Sequence, residues 1–364
     1  MGVPASYERA KRTPGGAGRA RALSDTEPCV RGSHVPPGRL YRAPAWTMMM
    51  MMQQARGAPE ASTRRYDVAG PPWINPERQH GIEARDGDIW ISAPAKSGTN
   101  WMMNIVHQLL TGGDTDFESI YSVVPWPEFV ERPGQPAGEI HERVAAMPAG
   151  KRRAFKSHSA PPELPFVKAG SGKHVQYIVV FRNPEEALVS FKIFLDKHTD
   201  AFYDLWQMPR AAMTRPTFEA FYREVVDPRQ MQGIFFGNLA AWWPLRHEAN
   251  VLLMHFADMK KDLRGSLRKV AAFLGIELGA SQWSTVESYT SFAGMKQHEA
   301  KFETLVHTPV PVLETGAMLR KGKSGAAHED GMTPEIASHL RVVGSRIATD
   351  PAAIAWLYEG GKVP

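Results

Sequence analysis

Apolar positions along this chain fall into two alternating patterns. Short, nearly unbroken apolar runs are followed by longer stretches in which apolar residues recur every three or four positions. Residues 88–93 (Asp-Ile-Trp-Ile-Ser-Ala) follow the turn signal Asp86-Gly87 and predict a buried strand. Over 99–110 the residues Trp101, Met102, Ile105, Val106, Leu109 and Leu110 have helical spacing. Residues 155–158 read as a strand end, and 175–181 predict another buried strand. The spacing predicts a helix over 184–195, with Pro184 near its first position. A helix over 231–248 carries Phe235, Leu239, Trp242, Trp243 and Leu245; a strand over 251–256 and a helix over 258–274 follow. This alternation predicts an α/β domain, a central, mainly parallel sheet flanked by helices in three layers. No internal repeat or linker interrupts residues 66–364, which predicts a single domain there.

The first 65 residues break the pattern. They are rich in Gly, Pro, Ala and Arg, show no sustained apolar period, and predict a disordered, low-complexity tail. Five consecutive methionines, Met48 to Met52, read as a coding-start boundary at which translation begins. A transit peptide is the rival reading, but the Pro and Gly residues would break the amphipathic helix it needs. Charge follows the same division: residues 1–65 carry 11 Lys+Arg against 4 Asp+Glu, whereas 66–364 carry 32 against 34. The formal charge of +5 therefore comes from the tail, and the folded part has no basic surplus to suit nucleic acid. The single Cys29 excludes an internal disulfide and a Cys-based zinc site, and fits a reducing, cytoplasmic location. No apolar run reaches the roughly 18 residues of a membrane-spanning helix.

Three loops suit anions. Ala95-Lys96-Ser97-Gly98-Thr99-Asn100-Trp101 joins a strand to a helix, where backbone N–H groups and the helix dipole favour negative charge and Lys96 adds a full positive one. It is not a G-x-x-x-x-G-K-[ST] loop, because its lysine precedes its glycine. Arg182-Asn183-Pro184 lies at a second strand-to-helix junction, with Ser190 about two turns into the helix. Leu319-Arg320-Lys321-Gly322-Lys323-Ser324-Gly325 is a basic loop whose glycines let the backbone approach a ligand closely. Three such loops in one domain point to a ligand with more than one phosphate-like group. In Lys156-Ser157-His158 the first and third side chains share a strand face, and His158 suits general-base work on a hydroxyl.

In this order the pieces resemble the cytosolic-type sulfotransferase family, over roughly residues 66–360. Its 5′-phosphosulfate loop is similar to residues 91–101, its catalytic strand to Lys156-Ser157-His158, and its 3′-phosphate segment to Phe181-Arg182-Asn183-Pro184 through Ser190. Its late loop is similar to Arg320-Lys321-Gly322-Lys323-Ser324-Gly325, and its adenine-contacting segment to Tyr289-Thr290-Ser291-Phe292. Bacterial aryl, alcohol and glycolipid sulfotransferases are the most similar in kind. The resemblance implies a P-loop-like fold and sulfuryl transfer from 3′-phosphoadenosine 5′-phosphosulfate (PAPS) to a hydroxyl or amine, without a metal. It implies catalytic roles for His158, Lys96 and Lys156. Lys96, Ser97, Gly98, Thr99 and Asn100 would hold the 5′-phosphosulfate; Trp101, Thr290 and Phe292 the adenine; and Arg182, Ser190, Arg320, Lys321 and Gly322 the 3′-phosphate.

The chain departs from the family pattern in places. Pro94 and Ala95 stand where an aromatic residue and proline are usual, Asn100 replaces a second threonine, and Ala326-Ala327-His328 replaces Asp-Trp-Lys. Without that tryptophan the 326–332 loop is expected to be looser, and the usual dimerisation motif is not found, which leaves the oligomeric state open. Trp126, Phe129, Phe194 and Tyr203 are candidate lining for an acceptor pocket that suits a phenol, sterol-like alcohol or lipid. The competing readings are a P-loop-type nucleotide kinase, which lacks its G-K-[ST] loop here, and a catalytically inactive phosphonucleotide-binding relative.

Overall fold

The computed structural model describes residues 71–303, 305–320, 322 and 325–364. The expected tail over 1–65 and the candidate residue Lys321 lie outside the described residues.

Four strands pair in parallel in the order β2-β1-β3-β4: β1 (Ile89–Ser92), β2 (Ala154–Ser157), β3 (Gln176–Phe181) and β4 (Val251–His255). Because side chains alternate along a strand, the sheet sorts its apolar residues into two layers. Tyr177, Val179 and Phe181 of β3 join Trp90, Phe155 and Leu253 in one core. Ile178 and Val180 join Ile89, Ile91 and Met254 in the other. Both faces are thus buried, which is why these strands read as nearly continuous apolar runs.

Helices α1 (Thr99–Thr111), α2 (Pro184–Asp196), α3 (Gly233–Trp242), α4 (Phe256–Lys261), α5 (Leu263–Leu274), α6 (Ala280–Thr290), α7 (Pro334–Ile347) and α8 (Pro351–Glu359) cover the sheet. Leu188, Leu239, Leu340 and Trp356 bring α2, α3, α7 and α8 onto the first face. Met102, Met259, Leu267 and Val286 bring α1, α4, α5 and α6 onto the second. A smaller third cluster contains Trp73, Phe129, Phe202, Trp206 and Val312; Trp126 and Leu305 pack against both it and the second core.

The expected strands and helices are present, with three adjustments. The helix expected over 258–274 is two helices. Asp262 leaves the helical region (φ −140°) and its carboxylate accepts from the Gly265 N–H at 2.9 Å, so it caps a new helix instead of continuing the old one. The helix expected over 231–248 ends at Trp242 and tightens to a 3-10 turn over Trp243–Leu245, where Pro244 has no N–H to donate. Strand β4 stops at His255, and Phe256 already opens α4. Two C-terminal helices also form: α7 begins at a Thr333 cap followed by Pro334, and α8 at an Asp350 cap followed by Pro351.

Chain order fixes where a ligand can bind. From β1 the chain crosses to β2 on one side, then returns to β3 on the other side of β1. The crevice at the carboxyl ends of β1 and β3 is therefore a topological switch point, open to loops from both halves.

Candidate active site

The loop after β1 and the loop after β3 meet at that crevice. Lys96 takes the left-handed backbone region at φ 62°, an uncommon conformation for a residue with a Cβ, and Gly98 follows at φ 105°. No side chain caps the start of α1, so its first N–H groups are available to an anion. The Ser97 hydroxyl is buried beside them without a hydrogen-bond partner among the described residues. A Cβ at residue 98 would stand 2.8 Å from the Phe256 ring, so glycine is required there by space as well as by φ.

Phe256 organises this corner. Trp101 meets it edge-on at 5.5 Å, and the Arg182 guanidinium lies 4.5 Å over its face. The Trp101 indole N–H donates to the Thr290 carbonyl at 2.8 Å. Thr290 itself is fully buried and spends its hydroxyl on the Val286 carbonyl at 2.6 Å. Thr290 therefore orients Trp101 and does not line the cavity. Asn100 gives its side-chain amide to the Phe302 carbonyl (2.8 Å) and Tyr121 (3.1 Å), so the group it can offer an anion is its backbone N–H.

The expected 3′-phosphate residues also converge. Arg182 and Ser190 face the same cavity as Arg320 and Gly322. In the structure each arginine is held by a carboxylate: Arg182 by Glu186 at 2.9 Å and Arg320 by Asp330 at 2.6 Å. Glu186 also accepts from the Gly325 N–H, tying the late loop to α2. Phe292 is exposed and lies where a Cβ on Gly322 (φ 59°) would be 2.9 Å away. The 326–332 segment is better tied than the missing tryptophan suggests, because Met332 is buried in the first core and its N–H donates to the Ala327 carbonyl at 3.1 Å.

The end of β2 brings Lys156 and His158 into the cavity, where they meet Lys96 from the loop after β1. Lys156 places its ammonium 3.4 Å over the Trp126 ring. Lys96 places its own 4.4 Å over the Phe194 ring, with the Met318 sulfur at 3.7 Å. Burial, which disfavours the charged form, pushes Lys96 down to about 7, aided by Arg182 and Arg320, and Lys156 also down to about 7. His158 Nδ1 lies 2.6 Å from the Ala93 carbonyl. That contact makes Nδ1 the protonated nitrogen and leaves Nε2 as a lone pair. Burial first, then Lys156, push this imidazole down to about 3, so it is neutral at physiological pH.

Glu128 and Phe256 were not singled out by the sequence. The Glu128 carboxylate is fully buried and accepts from Gln79 (3.1 Å), Ser157 (3.0 Å), Ser159, the Trp126 indole (2.8 Å) and the His158 backbone N–H (2.7 Å). One carboxylate thus fixes both the turn that carries His158 and the ring under Lys156. Its signal was a lone acid between prolines and aromatics in Pro125-Trp126-Pro127-Glu128-Phe129, a place where burial demands partners.

The cavity, about 680 Å³, runs on from these groups into an apolar lobe. Trp126, Phe129 and Phe194 line it as expected, with Trp73, Met208 and Met213. Tyr203 does not: it packs in the third cluster and its hydroxyl donates to the Leu195 carbonyl at 3.2 Å. Among the described residues no helix is long and apolar enough to cross a membrane.

The family profile described as "Sulfotransferase domain" matches residues 86–346. Sulfotransferase 2B1 from Rattus norvegicus is 31% identical over 66% of this chain, and the match spans 65% of that protein. Sulfotransferase 1A1 from Mus musculus is 28% identical over 68% of this chain and 80% of its own. Two solved structures share the fold. A mouse sulfotransferase, SULT7A1, complexed with PAP has a TM-score of 0.56 at 23% identity, covering 78% of this chain and 92% of that one. A retinol dehydratase in complex with androsterone and the inactive cofactor PAP has a TM-score of 0.55 at 18% identity, covering 75% and 84%. The profile covers well over half of the chain, and the chain belongs to the sulfotransferase family.

Proposed function

We propose that this chain transfers a sulfuryl group from PAPS to the hydroxyl of an amphipathic acceptor, with His158 as general base. The observation that carries the reading is the neutral His158, whose Nδ1 is tied to Ala93 and whose Nε2 shares a cavity with Lys96 and Lys156. A base needs a lone pair held within reach of the proton it takes, and this imidazole has one. The acceptor hydroxyl gives its proton to Nε2 as its oxygen bonds to sulfur, and the bond from sulfur to the leaving phosphate oxygen breaks. Lys96, beside the uncapped start of α1, offsets the charge gathering on that phosphate, and Lys156 steadies the sulfuryl oxygens. Arg182, Ser190, Arg320 and Gly322 would receive the 3′-phosphate, which has to draw the arginines from Glu186 and Asp330. The apolar lobe around Trp126, Phe129 and Phe194 favours an acceptor with an apolar body over a sugar or peptide.

The test is calorimetric titration with 3′-phosphoadenosine 5′-phosphate (PAP) beside ATP, without metal, followed by turnover with PAPS and a panel of phenols and sterols. Binding of the bisphosphate in preference to ATP, with a loss of about 10²–10⁴-fold in turnover for His158→Ala at unchanged PAP affinity, is the expected result. A His158→Ala enzyme with near-normal turnover would remove the assigned base. ATP binding that needs Mg²⁺ and ignores the 3′-phosphate would instead favour a nucleotide kinase.

A further inference from the structure

His198 is a second imidazole in the same cavity, and the sulfuryl-transfer scheme does not use it. It lies two residues past the end of α2, is 3% exposed, and lines the cavity. Aromatic rings enclose it: Phe194 at 4.7 Å, Phe202 at 5.3 Å, Tyr203 at 6.1 Å and Trp73 at 6.2 Å. Its Nδ1 lies 3.0 Å from the Phe194 carbonyl, which also accepts the Lys197 N–H at the end of the helix. That contact protonates Nδ1 and makes Nε2 a bare acceptor, and Nε2 has no hydrogen-bond partner among the described residues. Burial pushes the ring down to about 4, so it stays neutral and cannot act as a cationic donor. The Phe194 ring touches both this imidazole, at 4.7 Å, and the Lys96 ammonium, at 4.4 Å, so His198 shares the cavity with the assigned reacting groups.

We infer that the acceptor carries a second O–H or N–H group, which it donates to His198 Nε2 while its reacting hydroxyl faces His158. An apolar lobe holding one acceptor-only nitrogen discriminates by what it leaves unpaired. A ligand with a donor there satisfies the nitrogen. One with a carbonyl or ether oxygen sets lone pair against lone pair, and one with plain hydrocarbon strands a buried polar atom. The inference thus narrows the substrate class to diols, hydroxylated phenols and amino alcohols with an apolar body, and it rests on the sulfotransferase reading above.

The test uses the full chain with PAP or PAPS and matched pairs of phenols. 4-Nitrocatechol, tyrosol and 17β-estradiol carry a second hydroxyl at increasing distance; in each partner compound that hydroxyl is methylated or oxidised to a ketone. Binding to the enzyme–PAP complex is read by quenching of tryptophan fluorescence, and kcat/KM by turnover with PAPS. At least one pair should be discriminated by about tenfold or more in favour of the donor. His198→Phe should bring that ratio close to one, with PAP affinity unchanged. His198→Gln keeps a side-chain oxygen as acceptor and should retain part of the preference, which separates lost recognition from a folding defect. Absence of discrimination in every pair, or discrimination that survives in His198→Phe, overturns the inference. Failure of the sulfotransferase reading would appear separately, as loss of PAP preference and of turnover with the simplest phenols.

Discussion

The two halves of the cavity are built in opposite ways. The half assigned above to the nucleotide takes its residues from contiguous motifs, 95–101 after β1 and 182–190 after β3, joined by Arg320 and Gly322 from a loop near the chain's end. Its working groups are charges, backbone N–H donors and glycines held at positive φ. The acceptor half is assembled from side chains far apart in sequence, such as Trp73, Phe129, His198, Met213 and Val312. Its working quantity is shape, with a few polar atoms at fixed points. A phosphate makes the same demand of any chain, so its receptor is local and recurs as a motif. An apolar pocket can be lined by many residues from many places, so it leaves no motif.

Lys96 belongs to both halves, since its ammonium reaches from the phosphate loop to the Phe194 ring. Lys96→Ala should lower kcat by about 10²–10³-fold, comparable to loss of a single charge-stabilising donor, with unchanged circular dichroism. Glu128 separates chemistry from nucleotide binding. Glu128→Gln leaves one acceptor oxygen where there were two, and its amide N–H₂ placed at Oε2 would face two groups that only donate, the Trp126 indole and the His158 N–H. It should lower kcat by about 10²-fold through displaced His158 and Lys156, while PAP affinity by calorimetry stays within error. Equal losses in both quantities would mean that Glu128 supports the whole fold and not the catalytic turn.

pH sharpens the same division. Burial holds Lys96 and Lys156 near 7, so each loses its positive charge as pH rises through that value in the free enzyme. kcat/KM for PAPS should therefore fall above pH 7, by about tenfold per unit for each lysine whose charge the reaction requires. His158, pushed down to about 3, should place no limb near its ordinary 6.5. A pH–rate profile with an acidic limb at 6 to 7 would contradict a neutral, buried base. The smallest effect belongs to the apolar lobe. Phe129, stacked on Trp126 at 4.9 Å, should change acceptor KM by up to about tenfold when replaced by leucine, with PAPS KM unaltered.

The loops of the charged half carry their signal in the sequence. Lys96, Gly98, Trp101, Arg182, Ser190 and Arg320 line one cavity, the first five because their motifs lie at the ends of apolar strands. Thr290 was expected at the adenine and instead supports Trp101, a distinction set by which way one helix end turns. Tyr203 was expected in the acceptor pocket and lies in the core behind it. Aromatic residues near a site in sequence are equally suited to either place, since both are apolar.

By itself the sequence determined the alternation of strands and helices, the parallel three-layer arrangement and the anion loops. These follow from local periodicity and from backbone requirements at single glycines. Tertiary structure alone decided the rest. It split 258–274 at Asp262, set five donors around Glu128, and brought His198 to the cavity beside Phe194. Each of those depends on which distant groups come to share a dry space. A buried charge or lone pair takes its meaning from the partners that packing brings to it.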